Sequence, residues 1–194
     1  MRIIAGSLGG RVLAPVRGRT RPTAAKVREA VFSILGEAVA GARVLDLFAG
    51  TGALGIEALS RGAGAAVFVE DHPAALKVLR RNLESLDLEA RALVLPVAAL
   101  TALKKLGRQG ERFHLVFLDP PYGAGAAGQV LAALGAGNIL APGARVVAEH
   151  SSRETLAEVV GGLQRRELRR YGDTQVAIYQ AEGPIQDRST EDIA

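Results

Sequence analysis

Arg43-Val44-Leu45-Asp46-Leu47-Phe48-Ala49-Gly50-Thr51-Gly52-Ala53-Leu54-Gly55 is the stretch that decides the fold. Its first five residues read as a strand, short and mostly apolar. A glycine loop follows, and Ala53 to Ser60 continues as a helix. A strand that turns through glycines into a helix opens a strand–helix–strand unit. The same alternation extends downstream. Strands are predicted at Ala66 to Val69, Ala92 to Leu95, Phe113 to Leu118 and Ala144 to Glu149. Helices are predicted at Pro73 to Leu86, Ala99 to Leu106, Gly128 to Leu134 and Glu154 to Gly161. Pro73 suits a first helical turn, where its missing N–H costs nothing. Two last strands, Arg166 to Tyr171 and Gln175 to Gln180, join through Gly172-Asp173 as a hairpin. Repeated strand–helix units imply an α/β fold, a mostly parallel sheet covered by helices on both faces. The closing hairpin adds antiparallel strands at one side.

Upstream of the loop, Ile3-Ile4-Ala5 and Arg11-Val12-Leu13 flank Gly9-Gly10, a hairpin signal. A helix capped by Thr23 runs to about Val39, with Val27, Val31, Ile34, Leu35 and Ala38 on its apolar stripe, and Gly41 ends it. One domain is expected over residues 1–183, with 1–22 as a basic extension and 184–194 as a loose polar tail. Residues 1–28 hold seven basic side chains and no acid, while the remainder holds 17 basic and 20 acidic groups. The positive charge is thus concentrated at the amino end, as a solvated arm or as a site for an anionic partner. The chain has no cysteine, which excludes disulfides, thiolate metal sites and a thiol nucleophile. His72, His114 and His150 lie at no ligand spacing, so no metal is expected. No secretory signal is seen, because Arg11 interrupts the only early apolar stretch. The uncharged run 120–144 carries three prolines and many glycines, unlike a membrane span. A soluble, cytoplasmic protein is expected.

Gly50-Thr51-Gly52-Ala53-Leu54-Gly55 is G-x-G-x-x-G, and Glu70 stands twenty residues past Gly50. This satisfies the dinucleotide-binding pattern, so an NAD-dependent oxidoreductase is one reading. Asp46 argues against it. A carboxylate beside the helix entrance repels the pyrophosphate that such a loop would cradle. The loop better suits a ligand with a positive group and no phosphate, and S-adenosylmethionine is such a ligand. The expected binding set is Asp46, Phe48, Ala49, Gly50, Thr51 and Gly52, with Glu70 and Asp71 ending the next strand. Glu70 is placed to accept hydrogen bonds from ribose hydroxyls. Glu70-Asp71 also suits a plain helix cap, and Gly50 and Gly52 a plain tight turn.

Asp119-Pro120-Pro121-Tyr122 follows the strand Phe113 to Leu118. The prolines remove donors and stiffen the corner. A stiff corner offering a carboxylate, a proline carbonyl and a ring fits a planar base with an exocyclic amine. Asp119 and the Pro120 carbonyl accept the amine hydrogens, which aims its lone pair at a methyl donor for direct in-line transfer. Tyr122 stacks on the base, a contact worth about 1–3 kcal/mol. The base must leave any helix to enter. Methylation at carbon 5 of a pyrimidine needs a thiolate, which the chain lacks, so nitrogen is the expected acceptor. Asp46 and Asp119 end the first and fourth predicted strands. If those strands are neighbours, donor and acceptor sites adjoin.

Asp46-Leu-Phe-Ala-Gly-Thr-Gly-Ala-Leu-Gly-Ile-Glu-Ala-Leu-Ser-Arg-Gly62 with Asp119-Pro-Pro-Tyr122 resembles the bacterial small-subunit rRNA guanine-N2 methyltransferases that act on guanine 966. Arg2-Ile3-Ile4-Ala5-Gly6, Arg21-Pro22-Thr23 and Val27-Arg28-Glu29-Ala30 are similar to the amino-terminal signature of that family. The tetrapeptide alone is shared with DNA adenine and protein glutamine methyltransferases; the combination with Arg21-Pro22-Thr23 is more specific. The resemblance spans about residues 2–180. It implies a Rossmann-like class I methyltransferase with a seven-stranded sheet, S-adenosylmethionine as cofactor, and 16S rRNA in a small-subunit particle as partner. It implies that Arg2, Arg11, Arg21, Thr23, Lys26 and Arg28 bind RNA, and that Asp119, Pro120, Pro121 and Tyr122 are catalytic. Where relatives offer the donor's adenine a polar residue, this chain has Val97-Ala98, so that contact falls to backbone groups. A DNA adenine-N6 methyltransferase remains an alternative, although no target-recognition insert is seen. A catalytically idle RNA-binding module is the alternative from another class.

Overall fold

The computed structural model describes residues 1–16, 23–121 and 125–182. Helices α1 (Thr23–Leu35), α2 (Ala53–Ser60), α3 (Pro73–Glu84), α4 (Ala99–Arg108) and α5 (Ala126–Ala136) surround one sheet. Its strands are β1 (Arg43–Leu47), β2 (Ala65–Val69), β3 (Ala92–Leu95), β4 (Phe113–Leu118), β5 (Leu140–Ser151), β6 (Val159–Val160), β7 (Leu163–Tyr171) and β8 (Thr174–Ala181). They lie in the order β3-β2-β1-β4-β5-β8-β7-β6. The first five run parallel; β8 is antiparallel to β5, β7 to β8, and β6 to β7.

The strands are apolar on both faces because both faces are covered, as parallel sheets require. One face packs Leu45, Leu47, Val116, Leu118, Val146 and Ala148 under α4 and α5. The other packs Val44, Phe68, Leu115, Phe117 and Ile178 under α1, α2 and α3. Phe32 of α1 meets Phe117 of β4 with ring centroids 5.5 Å apart. Burying such a ring contributes about 1.5–3 kcal/mol. Arg145 on β5 donates to the carbonyls of Ile34 and Leu35, so a cation satisfies the carbonyl end of α1. Beyond Leu35 the helix tightens into a 3-10 turn over Gly36–Val39.

Two segments depart from the reading of the sequence. Glu154 to Gly161 is not a helix; it is a turn leading into β6, the strand that makes eight where seven were expected. Tertiary partners take its backbone groups. The Arg165 amide donates to the Glu158 carbonyl, the Tyr179 hydroxyl donates to Ala157, and the Arg165 guanidinium donates to Leu156. The amino-terminal hairpin is reduced to one bridge, Arg2 with Val12. Ile4 and Ala5 cannot extend it, because their amides donate to the Glu57 carboxylate at 2.8 and 3.0 Å. The expected tail 184–194 lies outside the described residues. Among the described residues no helix is long and apolar enough to cross a membrane.

Candidate functional site

Strand order reverses at β1, whose neighbours are β2 on one side and β4 on the other. Asp46 lies in register with Phe117, and Leu47 with Leu118. The glycine loop after β1 and the corner after β4 therefore leave adjacent strand ends. This is the crevice where open α/β sheets bind ligands.

The loop is shaped by its glycines and by two carboxylates. Gly52 has φ +81°, and a Cβ there would lie 2.5 Å from Leu79 Cδ1. At Gly55 a Cβ would lie 2.3 Å from Phe68 Cε1, so only glycine lets α2 sit this close to the sheet. Gly50 is open, with nothing among the described residues nearer than 3.9 Å to a Cβ built there. Phe48, a bulky residue, is held at φ 62°. Such strain costs on the order of 1–3 kcal/mol and clusters at functional loops. The Ala49 amide donates to Val69 at 2.9 Å, tying the loop to β2.

Asp46 accepts from the Gly55 amide at 2.9 Å and is almost fully buried. Its carboxylate thus fastens the first turn of α2. Burial pushes its pKa up to about 7; the Gly55 amide opposes the rise, and the Asp119 and Glu70 carboxylates add to it. Glu70 accepts from Gly50 at 2.8 Å through one oxygen, and from Asp71 and His72 at 3.1 and 2.8 Å through the other. It shapes the loop and the entry to α3 together. Among the described residues, no lysine or arginine pairs with Asp46 or Glu70. Negative charge gathered without a cation is the complement of a cationic ligand.

Asp119 is exposed, Pro120 buried and Pro121 exposed. Tyr122 lies outside the described residues. Asp71 is exposed at the rim beside Glu70. Val97 is half-buried against the apolar core, and Ala98 is exposed before α4. The side chain of Thr51 faces no described partner, but its carbonyl accepts from Asn82 Nδ2 at 2.9 Å.

The expected RNA-binding residues separate. Arg2 and Arg11 are exposed, each holding one carbonyl, of Gly10 and Ser85. Lys26 is exposed on α1. Arg21 and the Thr23 side chain lie outside the described residues. Arg28 is a correction. Only 4% of it is exposed, because its guanidinium sits beneath the amino-terminal arm. It donates to the Arg2 carbonyl at 2.6 Å and faces Glu57 at 3.7 Å, so it holds the arm instead of presenting charge to a phosphate.

Two residues that sequence reading passed over build this region. Glu57 is fully buried and binds the Ile4 and Ala5 amides and Arg61. Asn82 on α3, also buried, accepts from the Ala14 amide at 2.8 Å and donates to Ala14 and Thr51 carbonyls. Their only signal in the sequence was polarity at positions where the helices are otherwise apolar. Among the described residues, no group of three His, Asp or Glu side chains could hold a metal ion.

The reversed strand order, the glycine loop with its acid pair and the proline corner define a Rossmann-like methyltransferase fold. The chain matches the family described as Conserved hypothetical protein 95 over residues 1–180, and it belongs to that family. YlbH of Bacillus subtilis is 41% identical, over 94% of this chain and 100% of its own length. The ribosomal RNA small subunit methyltransferase D of Escherichia coli strain K12 is 33% identical, over 94% and 90%. The solved structure of yhhF from Escherichia coli superposes with TM-score 0.84 at 34% identity, covering 94% of this chain and 98% of that one. The Thermus thermophilus 16S rRNA N2 G1207 methyltransferase, solved with AdoMet and guanosine, superposes with TM-score 0.66 at 26% identity over 94% of this chain and 49% of its own.

Proposed function

We propose that this chain is an S-adenosylmethionine-dependent methyltransferase of small-subunit rRNA, and that its acceptor is the exocyclic N2 amine of a guanine, the one numbered 966. The observation that carries the reading is the register of β1 with β4, which sets the Asp119 corner beside the acid-lined glycine loop. The relatives that act on rRNA support the substrate class, and the guanosine bound to the Thermus thermophilus enzyme supports the base.

The residues fit the donor. Asp46, Glu70 and the open face at Gly50 offer uncompensated negative charge and backbone access, as a ligand with an ammonium, a sulfonium and a ribose requires. When bound, S-adenosylmethionine supplies an electrophilic methyl group. Asp119 and the Pro120 carbonyl accept the two amine hydrogens and orient the nitrogen lone pair. Pro120 and Pro121 fix the corner, so the acceptors need no reorganisation during transfer. Tyr122 stacks on the extruded base. Arg2, Arg11, Arg21 and Lys26 hold RNA phosphates, and a cytoplasmic small-subunit particle presents the target.

Incubation with labelled S-adenosylmethionine and undermethylated small subunits, followed by mapping of the modified nucleotide, tests this reading. Label on N2 of guanine 966 is expected, and Asp119→Ala should lower the rate by at least about 10²-fold with donor binding retained. Label on another atom, or none with wild-type protein, overturns it.

A further inference from the structure

Strand β7 carries Arg165, Arg166, Arg169 and Arg170 within nine residues. Its outer neighbour, β6, pairs only with Leu163 and Gln164. From Arg166 to Tyr171 the outer edge of β7 carries no strand among the described residues. The arginines differ in what they do. Arg165 is engaged with Glu158 and the Leu156 carbonyl. Arg166, Arg169 and Arg170 are exposed. Arg169 meets Glu167 at 3.0 Å, Arg170 donates through Nε to Gly172, and Arg166 has no side-chain partner among the described residues. Glu167 is the only acid on the strand, so the edge keeps an excess of positive charge.

The position of this edge gives the charge a purpose. Ser151 at the end of β5 pairs with Thr174, and Thr174 pairs with Tyr171. The Arg169–Tyr171 end of β7 therefore lies at the same end of the sheet as the corner after β4. From β4 across β5 and β8 to β7 is three strand spacings, about 14 Å. Within that gap the strands carry a polar row that runs from buried His150 to exposed Arg170. His150, Gln175 and Arg170 are paired in register across β5, β8 and β7, hence on one face. The same face is apolar two residues below, at Ala148 and Ala177. His150 is 1% exposed, and its Nε2 has no hydrogen-bond partner among the described residues. Arg169 projects from the opposite face, beside Val176.

We propose that this edge, through Arg166, Arg169 and Arg170, is a second RNA-phosphate surface that holds the rRNA strand leading away from the target base. The proposal rests on rRNA being the substrate. The amino-terminal arm grips the RNA over α1 and α2, and the β7 edge grips it beyond β5, so the target nucleotide is held from both sides of the corner. Guanidinium forks on both faces of one edge suit a flexible phosphate backbone, which needs charge without base readout.

The test is the salt dependence of binding to an rRNA fragment containing the target, for wild-type protein and for Arg166→Ala/Arg169→Ala/Arg170→Ala. The slope of log K against log salt should fall by about 2, since each lost single-strand contact removes roughly 0.7. The corresponding triple lysine variant should recover most of the slope. Unchanged donor affinity by calorimetry shows that the variants are folded. A triple alanine variant with the wild-type slope overturns the proposal, also where it self-associates, because the arginines then only shield an exposed edge. Wild-type protein that binds donor but not the fragment overturns both this proposal and the rRNA reading.

Discussion

The glycine loop and the amino-terminal arm are built with the same device, a buried carboxylate accepting backbone amides, yet they are compensated differently. In the arm, Glu57 collects the Ile4 and Ala5 amides and faces both Arg28 and Arg61. In the loop, Asp46 and Glu70 collect the amides of Gly55, Gly50, Asp71 and His72, and neither pairs with a described cation. The Glu57 charge is neutralised within the chain by Arg28 and Arg61. The loop's charge is left over, and burial, with the Asp119 and Glu70 carboxylates adding to it, pushes the Asp46 pKa up to about 7. Charge compensated within the chain suits a structural joint, and charge left over suits a ligand site, the role proposed for the loop.

Three substitutions can break or sharpen that contrast. The largest effect is expected at the joint. Glu57→Ala removes the counter-charge of a buried guanidinium and should cost about 3–5 kcal/mol in urea unfolding. A loss below about 1 kcal/mol would show that Arg28 finds water and that the joint is not electrostatic. Next is Gly55→Ala in the loop, where the new methyl would press on Phe68. A loss of about 1–3 kcal/mol is expected, with weakened donor binding because the Asp46 contact shifts with α2. Retained donor affinity would separate helix packing from the ligand site.

The smallest effect is a pH dependence. A cationic donor favours ionised Asp46, so donor affinity should rise about tenfold between pH 6 and 8 and level off above, given a pKa near 7. Asp46→Asn should flatten the profile. In the ligand-free protein the sign is opposite. The folded pKa lies above the unfolded value of 3.8, so the contribution to stability is complete below that value and is lost as the pH rises through about 7. A flat affinity profile in wild-type protein would mean that the donor's charge is met elsewhere.

The two regions also differ in how far they could be read from sequence. The loop was legible because its determinants are contiguous: a strand, glycines at fixed offsets, a helix, and an acid at the next strand end. The neighbouring positions of β1 and β4 were only a condition in the sequence, because alternation of strands and helices leaves the strand order open; the register of the two strands supplies it. The arm was not legible, because Glu57 meets its amide partners across more than fifty residues of chain, and nothing local separates a buried glutamate from a surface one. Arg28 was misread for the same reason. In a basic arm every arginine looks solvated until the fold covers one. The segment Glu154 to Gly161 has helical composition, but its backbone groups are committed to β8 and Arg165.

Asn82 has a consequence for the arm itself. One carboxamide holds both Ala14 and Thr51, so the last described residues of the arm and the floor of the glycine loop hang from the same peg. Displacement of the arm at Ala14 is then felt in the glycine loop at Thr51. Arm and loop are thereby coupled through a single side chain before any ligand arrives.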